Sequence, residues 1–277
     1  MKLSTKSEVK FLLKKYQLQP SKSLGQNFLI DKGAVKKVIR AADLKTEDTV
    51  TEIGPGLGIL TQELAKKAKR VIAIEKDKRL VKFLKDALQS LANIEIIYGD
   101  ILKIGGRNLL KNSYKIVGNL PFYLAAPVIR ESLESTKDRS LEMTLVVQKE
   151  VGQRICAKVP DMNLLAVSVQ FYAQSKVISY ISKKSFWPQP KVDAAIIKLT
   201  AEKKEWKINK DLFFRIVKAG FSQPRKQLIN NLSKKLGIDK IKIESWLWKN
   251  NIQPSQRAET LDVKSWVKLT KSFEINR

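Results

Sequence analysis

From Thr49 onward, short apolar, β-branched runs alternate with longer stretches whose apolar positions recur every three or four residues. The first pattern marks strands and the second marks amphipathic helices. Thr49–Ile53, Arg70–Glu75, Ile94–Tyr98, Tyr114–Val117 and Met143–Val147 read as strands. Leu60–Lys69, Asp77–Leu91 and Pro127–Leu133 read as helices between them. Such alternation predicts an α/β domain with a parallel sheet covered on both faces.

Upstream, Met1–Gln19 has the pattern of a lysine-rich amphipathic helix, broken by Pro20–Gly25. Gln26–Ile30 is a short apolar patch, and Val35–Ala42 is helical in pattern. Downstream, Leu164–Ala173 reads as a helix. Val177–Ile181 and Ala194–Leu199 read as strands joined through the proline-containing segment Phe186–Pro190. Glu202–Lys210 is mostly polar and charged and reads as a linker. Asp211–Ala219, Arg225–Leu236, Ile241–Asn250 and Val263–Phe273 then read as four helices. A domain boundary is therefore expected near Ala201. Residues 1–200 would form the α/β domain, with 1–48 an N-terminal arm, and 201–277 a small helical domain.

Composition sharpens this picture. A chain of 277 residues with 43% hydrophobic and 29% charged residues is ordinary for a globular protein. Its charge is not: 53 Lys and Arg against 27 Asp and Glu leave a net +26. A protein this basic meets a polyanion, because each neutralised phosphate releases counterions. The excess is uneven. Residues 1–40 hold 10 basic and 2 acidic side chains, and residues 201–277 hold 18 and 8.

One cysteine, Cys156, permits no intrachain disulfide and gives no sign of secretion. Without histidine, a typical zinc site and any histidine-based triad are excluded, so no metal is expected. No apolar run is long enough to cross a bilayer, and the basic N-terminus lacks the apolar core of a signal peptide. A cytoplasmic location with no membrane partner is expected.

Two short segments carry the chemistry. Glu52-Ile53-Gly54-Pro55-Gly56-Leu57-Gly58 sits between a strand and a helix. Glycines let the backbone turn sharply and approach a ligand, and the following helix start offers free N–H groups. Glu75 closes the next strand, 21 residues after Gly54, where a carboxylate can accept both hydroxyls of a ribose. A dinucleotide site would favour G-x-G-x-x-G. The G-x-G-x-G spacing behind Glu52 instead resembles the first motif of class I methyltransferases, whose ligand lacks a pyrophosphate. Gly99-Asp100 fits that reading, with Asp100 placed to hold the exocyclic amine of the cofactor's adenine.

The second segment, Asn119-Leu120-Pro121-Phe122, follows the fourth strand. It lies where open parallel sheets bind ligands, beyond a strand's carboxyl end. Adenine N6 is a poor nucleophile because its lone pair is delocalised into the ring. An asparagine side-chain oxygen and a backbone carbonyl can accept both N6 hydrogens and favour a pyramidal nitrogen. Proline shapes the backbone so that the carbonyl points outward. The aromatic ring stacks on the extruded base, for about 1–3 kcal/mol.

With these motifs together, the chain closely resembles the ribosomal RNA adenine N6,N6-dimethyltransferases over nearly its whole length. Leu24-Gly25-Gln26-Asn27-Phe28-Leu29-Ile30-Asp31 is similar to that family's N-terminal signature. Phe186-Trp187-Pro188-Gln189-Pro190-Lys191-Val192 is similar to its F-x-P-x-P-K-V segment. Phe221–Leu232 and Arg257–Leu261 are similar to its C-terminal motifs.

The resemblance implies that residues 1–200 form a class I, Rossmann-like methyltransferase catalytic domain using S-adenosyl-L-methionine, with 1–48 capping the cofactor, and that the helical domain 201–277 recognises the RNA substrate. Cofactor contacts fall at Asn27, Leu29, Gly54, Glu75, Asp100 and Asn119. Asn119, Leu120, Pro121 and Phe122 form the catalytic motif, and Phe122 and Phe186 stack on the target base. Arg225 and Lys226 contact RNA. The implied substrate is 16S rRNA in an immature 30S subunit, dimethylated at two adjacent adenines near its 3′ end by a monomeric enzyme. The chain departs from the family at Phe122, where tyrosine is usual, at Pro224 in a stretch commonly Arg-Arg-Lys, and at Ala194, where serine is common.

Three rival readings stand beside this one. They are a large-subunit rRNA methylase of the macrolide-resistance type, a non-catalytic RNA-binding assembly or transcription factor, and a DNA adenine methylase. Phe221–Leu232 and Arg257–Leu261 favour the small-subunit enzyme over the first. Intact Glu75, Asp100 and Asn119 argue against the second.

Overall fold

The structure, a computed structural model, describes residues 6–104, 115–135, 141–202 and 206–275. Residues 1–5 of the N-terminal helix, Tyr114 of the fourth strand and residues 203–205 of the linker lie outside the described residues. The chain divides into two compact units, Met1–Gln153 with Ala173–Lys203, and Arg154–Tyr172 with Lys204–Arg277.

The first unit opens with α1 (Lys6–Lys15), β1 (Phe28–Leu29) and α2 (Lys32–Ala42). The sheet strands and helices follow as β2 (Thr49–Ile53), α3 (Ile59–Ala65), β3 (Arg70–Glu75), α4 (Lys78–Ala87), β4 (Ile94–Tyr98) and α5 (Ile101–Ile104). Then come β5 (Lys115–Asn119), α6 (Phe122–Ser135), β6 (Glu142–Gln148) and α7 (Lys149–Ile155), whose last two residues are counted with the second unit. The unit closes with β7 (Ala173–Ile181), β8 (Phe186–Trp187) and β9 (Ala194–Ala201).

Seven strands form one sheet in the order β4-β3-β2-β5-β6-β9-β7. The five from β4 to β6 run parallel, and β9 and β7 are antiparallel to their neighbours. The order reverses between β2 and β5, which opens a crevice beyond their carboxyl ends. The central strands β2, β3 and β5 are almost wholly buried, as expected for a sheet covered on both faces.

The helices end where local chemistry ends them. Asp31 and Asp77 cap α2 and α4 by accepting from the backbone N–H of Ala34 and Arg79. Because Asp77 is a cap, α4 begins at Lys78. The helix expected over Pro127–Leu133 begins earlier, at Phe122, and Pro127 lies inside it.

The N-terminal arm is more than a charged extension. Val9, Leu12 and Leu13 of α1 join Leu80, Phe83 and Leu84 of α4 in one buried cluster. Lys6, Lys10 and Lys14 project to solvent. The short strand β1 pairs antiparallel with β8, setting Phe28 opposite Trp187 and Leu29 opposite Phe186.

The second unit holds α8 (Leu164–Gln170), α9 (Lys210–Gly220), α10 (Leu228–Leu236), α11 (Lys240–Lys249) and α12 (Val263–Ile275). A single cut near Ala201 is not how the chain divides, because Arg154–Tyr172 belongs with the helices. The cause is packing. Ala166, Val167 and Phe171 share a buried cluster with Phe213, Ile216 and Trp266. Phe171 packs against Phe213 with tilted rings whose centroids are 4.3 Å apart, and its carbonyl accepts from Trp206 Nε1 at 2.9 Å. The helix expected over Leu164–Ala173 stops at Gln170, and Ala173 already starts the edge strand β7.

Candidate active site

The crevice is a cavity of about 760 Å³, within the usual range for small-molecule sites. Its wall is built from the carboxyl ends of β2, β3, β4 and β5. Asn27, Gly54, Glu75, Asp100, Asn119, Leu120 and Pro121 all line it. Residues spread over nearly a hundred positions of sequence thus converge because parallel strands end side by side.

The glycine turn adopts the backbone that only glycine holds without strain. Gly54 and Gly56 have φ of 71° and 58°. Gly58, also left-handed, is the N-cap of α3. A Cβ on Gly56 would stand 2.9 Å from the Phe28 ring, so the turn needs glycine for space as well as for conformation.

Glu75 is only 7% exposed. Its Oε1 accepts from the Asp77 N–H at 2.8 Å and its Oε2 from the Gly56 N–H at 3.2 Å. Burial raises its pKa above the usual carboxylate range, while these backbone donors oppose the rise. Each oxygen retains a lone pair, so the carboxylate can still accept two hydroxyls. Asp100 has the opposite environment. Lys76 Nζ lies 2.8 Å from Asp100 Oδ2 and holds its pKa down, and the Leu102 N–H binds Oδ1 at 3.1 Å.

Asn119 ends β5. Its Nδ2 donates to the Asn27 carbonyl at 2.9 Å. That bond orients the amide and leaves Oδ1 without a donor among the described residues. Asn27 is itself tied back through Nδ2 to the Gly25 carbonyl at 3.2 Å.

Other positions fall differently. Leu29 does not line the cavity; its side chain packs with Val35, Val38 and Phe186. Phe186 borders the cavity, yet it is 5% exposed and packs in the same cluster, because β1–β8 pairing turns it inward. The Phe122 side chain lies outside the described residues. Arg225 and Lys226 are exposed in the second unit, in the turn before α10.

Two contributors, Lys76 and Asp77, belong to no motif, and a third, Gln26, stands in the N-terminal signature without an assigned role. Asp77 had a legible signal, since an aspartate followed by an amphipathic helix is a capping pattern. For Gln26 the signature marked the residue but nothing local marked its partner, Asp77, 51 residues away.

Glu52, at the head of the glycine turn, is 1% exposed, and its Oε2 has no hydrogen-bond partner among the described residues. Burial, reinforced by the nearby Glu75 charge and opposed by the Thr61 hydroxyl, pushes its pKa up to about 8. It is therefore largely protonated at neutral pH, which removes the cost of a buried unpaired charge.

An open α/β sheet with a glycine turn, two acids and an asparagine on adjacent strand ends has the layout of a ligand-binding α/β enzyme. The ribosomal RNA adenine dimethylase family matches residues 18–274, and the chain belongs to that family.

The ribosomal RNA small subunit methyltransferase A of Dehalococcoides mccartyi is 40% identical over 277 residues, covering 99% of this chain and 95% of the relative. That of Clostridium botulinum is 40% identical over 267 residues, covering 94% and 96%. Among solved structures, a dimethyladenosine transferase from Plasmodium falciparum superposes with a TM-score of 0.74 at 27% identity, covering 88% of this chain and 96% of that one. The 23S rRNA methyltransferase ErmE superposes at 0.71 with 23% identity, covering 90% and 100%, a likeness of fold. The fold is that of the class I S-adenosylmethionine-dependent methyltransferases, and the chain is a methyltransferase. Among the described residues no helix is long and apolar enough to cross a membrane, and no group of side chains is arranged to hold a metal ion.

Proposed function

We propose that the chain dimethylates the N6 amines of two adjacent adenines near the 3′ end of 16S rRNA, in an immature small ribosomal subunit, using S-adenosyl-L-methionine. The observation that carries this reading is Asn119. Its amide nitrogen is engaged by Asn27, and its oxygen meets no donor among the described residues beside the cavity that Glu75 and Asp100 share.

The residues suit the cofactor. Glu75 offers two anchored carboxylate oxygens to ribose hydroxyls, and Asp100 offers an acceptor to an exocyclic amine. When bound, S-adenosylmethionine supplies a methyl group activated by a sulfonium. The chain supplies alignment. Asn119 Oδ1 and the Leu120 carbonyl accept the two N6 hydrogens and turn the lone pair toward the methyl. Pro121 holds the turn, and Phe122 and Phe186 are assigned to the faces of the extruded base.

Two relatives named as small-subunit methyltransferases, at 40% identity, favour that subunit over the large one. The exposed Arg225 and Lys226 are assigned to RNA phosphates, and the helical unit to substrate recognition.

The test is Asn119→Ala, assayed by single-turnover transfer to immature small subunits at saturating S-adenosylmethionine. Loss of a preorganised acceptor at the reacting atom should slow transfer by roughly 10²–10³, by analogy with one oxyanion-hole donor. Affinity for RNA should persist, since it comes from phosphate contacts spread over a broad basic surface. Transfer within threefold of the parent protein would refute the catalytic assignment. Mass spectrometry of both rRNAs from cells lacking the gene identifies the modified subunit.

A further inference from the structure

The segment Gly25–Phe28 lies against three parts of the site. A Cβ on Gly25 would stand 3.0 Å from Pro121 Cβ, so the segment lies against the catalytic turn. Phe28 fills the space over Gly56, so it also lies against the glycine turn. Asn27 holds the amide of Asn119.

Between these contacts sits Gln26, whose side chain is fixed at both ends. Its Oε1 accepts from the Ser21 N–H at 2.7 Å, and its Nε2 donates to Asp77 Oδ2 at 3.0 Å. Asp77 is rigidly seated. Arg79 binds it through Nε at 3.0 Å and through a terminal nitrogen at 2.7 Å, and its own N–H donates to Glu75 Oε1. A continuous path therefore runs from the ribose acid Glu75 through Asp77 and Gln26 to Asn27, and on to Asn119.

We propose that Gln26 is a positioning residue that couples occupation of the ribose site to the orientation of Asn119. The inference rests on the assignments of Glu75 to ribose and Asn119 to the N6 amine. A ligand on Glu75 tightens the turn that carries Asp77. Gln26 passes that restraint to the backbone whose carbonyl holds the catalytic amide. Two discrete anchors on one short segment suffice for such coupling, and both are hydrogen bonds that a single substitution can remove.

Gln26→Glu is the selective probe. It keeps the shape and the acceptor for Ser21 but sets a carboxylate against Asp77. Gln26→Ala serves as the second variant should the first fail to fold. Both are tested in the full chain, with S-adenosylhomocysteine as the ligand for hydrogen exchange. In the parent protein, saturating S-adenosylhomocysteine should slow exchange of the Gln26–Phe28 amides at least fivefold. In the variant that gain should vanish although the site is saturated.

Single-turnover methyl transfer at saturating S-adenosylmethionine should fall about tenfold, with cofactor affinity changed less than threefold. A purely structural role for Gln26 would alter the melting temperature or the affinity and leave the ligand-dependent protection in place. Equal protection gains in both proteins, no gain in the parent, or transfer within threefold of the parent would overturn the coupling. Asn119→Ala, run in parallel, separates the failures. If it still transfers, the catalytic assignment itself is wrong. If it is inactive while Gln26→Glu is unaffected, only the coupling falls.

Discussion

Glu52→Gln isolates a titration that the fold imposes. In the folded chain the Glu52 carboxyl is pushed from 4.5 to about 8 by burial. The sign follows from proton binding. Between these two values the folded state holds a proton that the unfolded chain has released, so stability falls as pH rises through that window. Each pH unit of full linkage is worth about 1.36 kcal/mol, which sets an upper limit of about 5 kcal/mol for this group. Between pH 5 and pH 8 the loss should be about 3 kcal/mol. For a chain of this size that corresponds to roughly 6–12 °C in melting temperature.

Glutamine has the same shape and no charge at any pH. The assay compares thermal or urea unfolding of the parent and Glu52→Gln at pH 5, 6.5 and 8, in one buffer series at constant ionic strength. The variant's curve should be flatter by the stated amount, so that it gains on the parent as pH rises. Parallel curves would show that Glu52 ionises normally in the folded chain and would refute the argument from burial.

Other expectations concern the ligands. Glu75→Ala removes an acceptor already anchored by Asp77 and Gly56, so S-adenosylmethionine affinity measured by calorimetry should drop at least tenfold; unchanged affinity in a folded variant would remove Glu75 from the site. RNA binding should weaken steeply with salt, and replacing Lys6, Lys10 and Lys14 together by glutamine should lower the log–log slope by up to about 0.7–0.9 for each phosphate these lysines neutralise. Charge replacement is the proper test of that arm, because deleting α1 would also strip Val9, Leu12 and Leu13 from the core; an unchanged slope would exclude α1 from the footprint.

Read alone, the sequence determined whatever depends on near neighbours along the chain. The period of apolar positions located the sheet strands, because a strand repeats every two residues and a helix every 3.6. The turn after Thr49–Ile53 was legible because left-handed backbone at Gly54, Gly56 and Gly58 leaves glycine as the only unstrained choice. Glu75, Asp100 and Asn119 were legible because a parallel sheet must present its carboxyl ends together.

Tertiary structure decided what depends on partners distant in sequence. The pairing of β1 with β8 buries Phe186 and brings Phe28 over the glycine turn, and no local pattern encodes which two-residue strand meets which. Arg154–Tyr172 joins the helical unit because Phe171 finds Phe213 and Trp206 there, a choice made by packing complementarity. Gln26 meets Asp77, and Asn27 meets Asn119, only once the chain has closed on itself. The sequence names the residue types that chemistry requires. The closed chain decides which of them touch, because attractions between distant segments act only after folding has brought those segments within reach.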